Sequence, residues 1–361
     1  MSNIKPIAFY LPQYHPIPEN DEWWGKGFTE WTNVTKARPL FKGHWQPRLP
    51  ADLGFYDLRL EESRIAQAVL AKAYGIYGFA YWHYWFGNGK QLLERPIEEV
   101  VASGKPDFPF CLAWANQTWS GTWHGLSNKT VLIEQTYPGE KDYIDHFYNI
   151  LPALKDDRYI RVNDKCLFMI FRTHEIPDLK AFTTLWQKLA QENQLNGFHF
   201  VSCHDNDDFL IENGINAFIQ EHPDRFALNR RSIIKRIYNR FKIEFGINSN
   251  KKIEKIDYVN YVKNYPQYNL KENEYPMVFP DWDNSPRCGN DGWMFLNSSP
   301  QKFGEVVKKA IEIIKNKKIN KDQIMIIKSW NEWAEGNYME PDSLFGLEYL
   351  KILKTELEEA K

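Results

Sequence analysis

The chain has 361 residues, with 45 Lys and Arg against 47 Asp and Glu and a formal charge of −2, so it carries no basic footprint for nucleic acid. At 43% hydrophobic and 25% charged residues it is long enough and apolar enough to bury a sizeable core. The opening Met1-Ser2-Asn3-Ile4-Lys5-Pro6 lacks a signal-peptide core and no apolar run would span a bilayer, so a cytoplasmic protein is expected.

Strand-like runs and helical patterns alternate along the chain. Eight strands are predicted at Pro6–Leu11, Gly75–Trp82, Phe108–Trp114, Cys166–Phe171, Phe198–Cys203, Ala217–Gln220, Pro276–Pro280 and Ile324–Lys328. Helices are predicted over 57–74, 91–103, 141–155, 178–194, 301–316 and 343–359. Repeated βα units imply a parallel sheet, and eight imply an α/β protein of the (β/α)8 TIM-barrel type, here a single barrel over 1–361. An open doubly wound sheet is the rival, but no Gly-x-Gly-x-x-Gly follows the first strand.

Two insertions are expected. Residues 13–56, after strand one, are rich in Pro, Trp and His and read as an active-site loop without regular structure. Residues 225–272, after strand six, read as a basic helical insertion. Arg230, Arg231, Lys235, Arg236, Arg240 and Lys242 interleave there with Ile233, Ile234, Ile237 and Phe241 at helical spacing. The segment 230–242 is either a peripheral contact with anionic lipid at the inner face of a membrane or an extra helix packed on the barrel with a solvated basic face.

The cysteines, Cys111, Cys166, Cys203 and Cys288, have neither metal-ligand spacing nor the look of a disulfide framework, and no metal or cofactor is expected. Aromatic residues are abundant: 14 Trp, 19 Tyr and 23 Phe. Of the tryptophans only Trp186 falls in a predicted helix; the rest lie at strand ends or in irregular segments. Such indoles either pin loops or offer flat faces to sugar rings.

Active sites of barrels lie at the C-terminal ends of the strands. Strand one leads into Gln13 and Tyr14, and strand two supplies Tyr81, His83 and Trp85. Strand three leads to Trp114, Asn116, Gln117 and Trp119, strand four to Arg172, Thr173 and His174, strand five to His204, and strand seven to Asp281, Trp282, Asp283 and Asn284. Strand eight delivers Trp330, Asn331, Glu332, Glu335 and Tyr338. Amides, carboxylates, imidazoles and indoles together suit a ligand with several hydroxyls and apolar ring faces, an oligosaccharide or polysaccharide. Glu332 and Glu335, three apart among indoles, could be a helix cap or salt-bridge partners. The next predicted helix starts only after Pro341, however, which leaves both in a loop at the barrel mouth as candidate acid and base.

Several motifs in order resemble a known group. Asn331-Glu332-Trp333 with Glu335-Gly336 and Glu340-Pro341 is similar to the catalytic loop of the glycoside hydrolase family 99 endo-α-mannosidases. Phe9-Tyr10-Leu11-Pro12-Gln13-Tyr14-His15-Pro16, Trp23-Trp24-Gly25 with Phe28-Thr29-Glu30-Trp31, Tyr81-Trp82-His83-Tyr84-Trp85 and Leu112-Ala113-Trp114-Ala115-Asn116 extend it to the WbsX-type proteins of polysaccharide gene clusters. The resemblance implies a (β/α)8 barrel acting on glycans without a metal, with Glu30 and Trp31 added to the substrate site. It also implies retaining cleavage, Glu332 being the base that helps the substrate's 2-hydroxyl attack and Glu335 the general acid. The acid should then be held protonated by its neighbour's charge and the surrounding indoles. The chain departs from the endomannosidases at Ala334 and Asn337, where they carry His and Thr, so the polarity around the pair differs. Two other functions stay open. Asp205-Asn206-Asp207 and Asp281-Trp282-Asp283 could be Asp-x-Asp elements of a glycosyltransferase in surface polysaccharide biosynthesis, or the cleft could bind glycans without catalysis.

Overall fold

The short apolar runs are too brief for helices and flanked by turn residues, and they pair as one parallel sheet in the computed structural model, which describes residues 4–121, 130–219, 252–265, 270–316 and 323–360. The strands are β1 (Lys5–Tyr10), β2 (Gly78–Trp85), β3 (Phe110–Trp114), β4 (Lys165–Ile170), β5 (Phe198–Ser202), β6 (Ala217–Ile219), β7 (Glu274–Tyr275 and Met277–Val278) and β8 (Ile324–Ile327). Each pairs with its neighbour in sequence, and β1 pairs with β8, setting Ile7 beside both Gly78 and Ile326. Pro276 splits β7, whose first half pairs with β6 and whose second half pairs with β8. The ring of eight strands therefore closes, giving the expected α/β barrel.

The helices are α1 (Pro18–Trp24), α2 (Glu30–Lys36), α3 (Glu61–Ala73), α4 (Arg95–Ser103), α5 (Glu140–Lys155), α6 (Leu179–Glu192), α7 (Asp208–Glu212), α8 (Tyr258–Asn264), α9 (Ser285–Cys288), α10 (Pro300–Asn316) and α11 (Glu348–Glu359). Amphipathic spacing explains the longer ones. α10 buries Phe303, Val307, Ile311 and Ile314 along one face, and α11 buries Tyr349, Leu350, Leu353 and Leu357. The two helices pack so closely that a Cβ on Gly304 would come within 2.7 Å of Ile352 Cγ2.

Three expectations are corrected. Residues 13–56 are not without regular structure: Pro18 and two acidic residues start α1, and a Thr29/Thr32 capping box starts α2. Trp23, Trp24 and Trp31 are thus helical, as Trp186 is. β2 runs on to Trp85 because Tyr84 and Trp85 pair with Leu92 and Gln91 in a hairpin. The basic segment 230–242 lies outside the described residues. The later part of that insertion contains α8 and a strand, Glu254–Asp257, paired parallel with Trp293–Leu296.

The core lies between the sheet and its helices, where Phe168, Phe198 and Phe200 of β4 and β5 meet Phe182 and Trp186 of α6. Among the described residues, no helix is long and apolar enough to cross a membrane.

Candidate active site

The chain leaves β8 through Lys328 and Ser329 and folds into a tight hairpin, Asn331–Glu332 pairing antiparallel with Asn337–Tyr338. A 3-10 turn, Trp333–Glu335, links the two strands. Residues three apart eclipse each other in such a turn, which brings the carboxyls of Glu332 and Glu335 together. The turn ends at Gly336, where φ is +66° and a Cβ would meet the backbone nitrogen of Asp283 at 2.8 Å, so glycine is required. The amide of Asp283 donates to the carbonyl of Glu335 at 2.7 Å, and this bond docks the turn on β7's loop. Asn331 docks its other side: its Oδ1 accepts from the amide of Leu11 at 2.7 Å and its Nδ2 donates to the carbonyl of Leu11 at 3.0 Å.

Two cations treat the two carboxyls differently. Lys328 Nζ lies 2.6 Å from Glu332 Oε1, which also accepts from the indole of Trp82 at 3.0 Å. Arg287 of α9 reaches Glu335 Oε1, but its Nε and Nη2 also grip Glu30 Oε1 at 2.8 and 2.7 Å. Burial alone would raise Glu332, but Lys328 and Arg287 overcome it and hold this carboxyl well below its ordinary range. Burial and the charge of Glu332 act together on Glu335 and push it up to about 7, against the pull of Arg287. The two neighbouring carboxyls are thus pushed in opposite directions.

A cavity opens in front of the pair. Trp82, Tyr84, Trp119, Phe171, Trp282 and Trp293 supply aromatic walls, and Gln13, Gln117, Arg172, His204, Asn284, Arg287 and Lys328 supply polar groups. Of the residues expected to bind substrate, Gln13, Trp119, His204 and Trp282 line it beside Glu332 and Glu335. Glu30 is buried behind it, its carboxylate reaching the site through Arg287 and its amide donating to the carbonyl of Gln13 at 2.9 Å.

The remaining expected residues lie off the cavity wall. Side chains alternate along a strand, and in β2 it is Trp82 and Tyr84 that face the cavity. Tyr81 instead packs on Tyr10 and Phe110, His83 hydrogen-bonds His146 of α5 at 2.8 Å, and Trp85 donates to Asp142 of α5 at 3.1 Å. Trp114 sits against His146 and Phe182 on the helix side. Asn116 clamps the backbone of Arg172, accepting from its amide and donating to its carbonyl, both at 2.8 Å.

Several others support the β8 hairpin from behind. The hydroxyl of Tyr14 donates to the carbonyl of Asn331, and Trp31 leans edge-on against Tyr56 and tilts toward Trp333. Tyr338 stacks on Trp333 at 3.8 Å and donates to Asp342 at 3.0 Å, while Trp330 is fully buried against Phe79.

Three of the four carboxylates in the Asp-x-Asp elements are held by the protein, and Asp205 lies 3.7 Å from His204. Asp281 is paired with Arg48 at 2.8 Å, and Asp283 accepts from His44, Gln46 and the amide of Ser285. Asp207 caps α7 and meets His174 at 2.6 Å. Among the described residues, no group of three His, Cys, Asp or Glu side chains is placed to hold a metal ion.

Trp82, Tyr84, Gln117, Arg172, Asn284 and Trp293 also line the cavity; the sequence places them at strand ends or in irregular segments without singling them out as ligands, and sequence reasoning missed Arg287 and Lys328. A signal existed for Lys328, a lone charge closing an apolar strand. Arg287 gave none, because its partners Glu30 and Glu335 are distant in sequence.

Comparison with known proteins agrees with this geometry. The model of the family described as glycosyltransferase WbsX matches residues 6–353. The WxcX protein of Xanthomonas campestris pv. campestris is 35% identical over 359 residues, covering 98% of this chain and 50% of WxcX. The chain thus spans about half the length of the curated relatives it matches. In fold it is similar to the GH99 endo-alpha-mannosidase of Bacteroides thetaiotaomicron solved with bis-tris-propane, with a TM-score of 0.58 at 14% identity, covering 99% of this chain and 97% of that one. A glycoside hydrolase-like protein gives a TM-score of 0.57 at 15% identity, covering 98% and 93%. At such identities the likeness is one of fold.

Proposed function

The chain belongs to the glycosyltransferase WbsX family of carbohydrate-active enzymes, and from that premise we propose that it cleaves an α-linked glycan with retention of configuration. Glu332 takes the proton of the substrate's 2-hydroxyl as that oxygen attacks the anomeric carbon, and Glu335 gives its proton to the departing glycosidic oxygen. A 1,2-anhydro sugar results. Water then opens it, losing a proton to the Glu335 carboxylate, while Glu332 returns its proton to O2.

The observation that carries this reading is that two carboxyls side by side in one cavity, Glu332 on Lys328 and Glu335 on Arg287, are pushed in opposite directions. A hydroxyl nucleophile needs a base that stays ionised, which the ammonium of Lys328 and the indole of Trp82 favour at Glu332. A leaving alkoxide needs an acid still protonated near neutral pH, which burial and the neighbouring charge favour at Glu335. Indoles at Trp82, Trp119, Trp282 and Trp293 offer apolar faces on which sugar rings stack.

The family description favours a second reading, glycosyl transfer to an acceptor hydroxyl. One assay separates the two. Release of a reducing sugar from α-linked oligosaccharides, α-mannosides among them, supports cleavage. Metal-dependent consumption of a sugar nucleotide with no cleavage overturns it.

A further inference from the structure

Three cations line the cavity, and two are answered within it. Lys328 is paired with Glu332, and Arg287 with Glu30 and Glu335. Arg172 is not: among the described residues no carboxylate lies within ion-pair distance of its guanidinium, although it sits half-buried in the cavity wall. The group is held in place all the same. Asn116 fixes its backbone from both sides at 2.8 Å, and its guanidinium lies over the ring of Phe171 at 4.9 Å. A guanidinium lying over a ring in this way still carries a fork of N–H donors suited to a planar or tetrahedral anion.

Its place is also defined. Phe171 meets Trp82 edge-on at 5.8 Å, and Trp82 touches Glu332. Arg172 therefore stands two aromatic rings away from the base. His204 lies on the same side, 5.8 Å from Phe171. Lys328 faces Glu332 and Arg287 faces Glu30 and Glu335, so among the described residues Arg172 is the cavity cation left without a facing carboxylate, in an indole-walled cleft where charge acts more strongly than in water.

We propose that the glycan taken by this cavity is anionic, carrying a carboxylate or phosphate on the ring next to the cleaved one, and that Arg172 binds that group. The proposal rests on the glycan-cleavage reading above and narrows its substrate class.

The test is binding to the full chain carrying Glu335→Gln, which slows turnover of such oligosaccharides enough for binding to be read. The probes are matched α-linked oligosaccharides in four forms: neutral, uronate-bearing, the same uronate reduced to its alcohol, and phosphorylated. A single charge-assisted contact predicts roughly ten- to a hundredfold tighter binding of an acidic form over the neutral and reduced ones. That preference should weaken with salt, vanish in R172Q and survive in part in R172K. The preferred acidic form tells carboxylate from phosphate. Equal binding of acidic and neutral forms, no binding of either acidic form, or a preference untouched in R172Q overturns the proposal. Should R172Q fail to fold, R172K and the uronate/alcohol pair on the unaltered Arg172 site decide it. Cleavage by the unaltered chain is scored separately. An acidic glycan bound through Arg172 but never cleaved removes the hydrolytic reading and leaves this one, whereas cleavage of neutral glycans without preference does the reverse.

Discussion

Lys328 Nζ sits 2.6 Å from Glu332 Oε1, and the ammonium lies over the rings of Phe9, Trp82 and Trp282 at 5.7, 5.2 and 5.6 Å. Three aromatic faces stabilise the cation and exclude water from it, so its charge is directed at one acceptor. A buried carboxylate would otherwise take up a proton. The pair explains how Glu332 is held down in the wall of an aromatic cavity while the glutamate three residues on is pushed up.

Replacing Lys328 by Met should therefore change the pH dependence of catalysis in a defined direction. Glu332 works ionised, so activity falls as pH drops through its pKa. Removing the cation raises that pKa, and the acid limb of kcat/KM should move up by about 1–3 pH units. A pH–rate profile checks this, and an acid limb that stays in place contradicts the role given to Lys328.

Arg287 should act on the opposite limb as well as on the acid one, because it also holds Glu332 down. Its charge pulls Glu335 down, so Arg287→Met raises that pKa further and carries activity to higher pH before the alkaline limb falls. The same change leaves the fully buried Glu30 without its cation, a loss of about 3–5 kcal/mol. Urea unfolding should show that loss, and Glu30→Gln combined with Arg287→Met should recover much of it. Additive losses in the double variant would contradict the pairing.

How far the sequence reveals this arrangement differs from element to element. The barrel is legible because each strand is a short apolar run and each helix carries its own apolar stripe, both of them local signals. The glutamate pair is legible because its two members sit in one loop. The phase of β2 is not. Gly78–Trp85 is buried along its whole length, so nothing alternates to show which side faces the cavity. Ending that strand three residues early favoured Tyr81, His83 and Trp85, where Trp82 and Tyr84 hold the wall. The Glu30–Arg287–Glu335 chain is equally hidden. It joins α2, α9 and the β8 hairpin, and no local pattern records a contact between segments so far apart.

Asn331 makes a prediction about stability. Its amide satisfies both backbone groups of Leu11 where β1 ends, and no water reaches that buried joint. Asn331→Ala strands two buried polar groups and should cost about 2–4 kcal/mol. Asn331→Asp should cost at least as much, since it sets a carboxylate oxygen against the carbonyl of Leu11. Equilibrium urea unfolding with unchanged m-value checks both, and an unaltered midpoint contradicts the clamp.

The central claim, that Glu335 donates the proton to the leaving oxygen, is tested most directly by Glu335→Gln on a pair of α-glycosides that differ only in the leaving group. The account predicts a loss of about 10²–10⁴ in kcat/KM for a poor alkoxide leaving group. It predicts little loss for an activated phenolate, which departs without a proton. Equal losses on both substrates would contradict it.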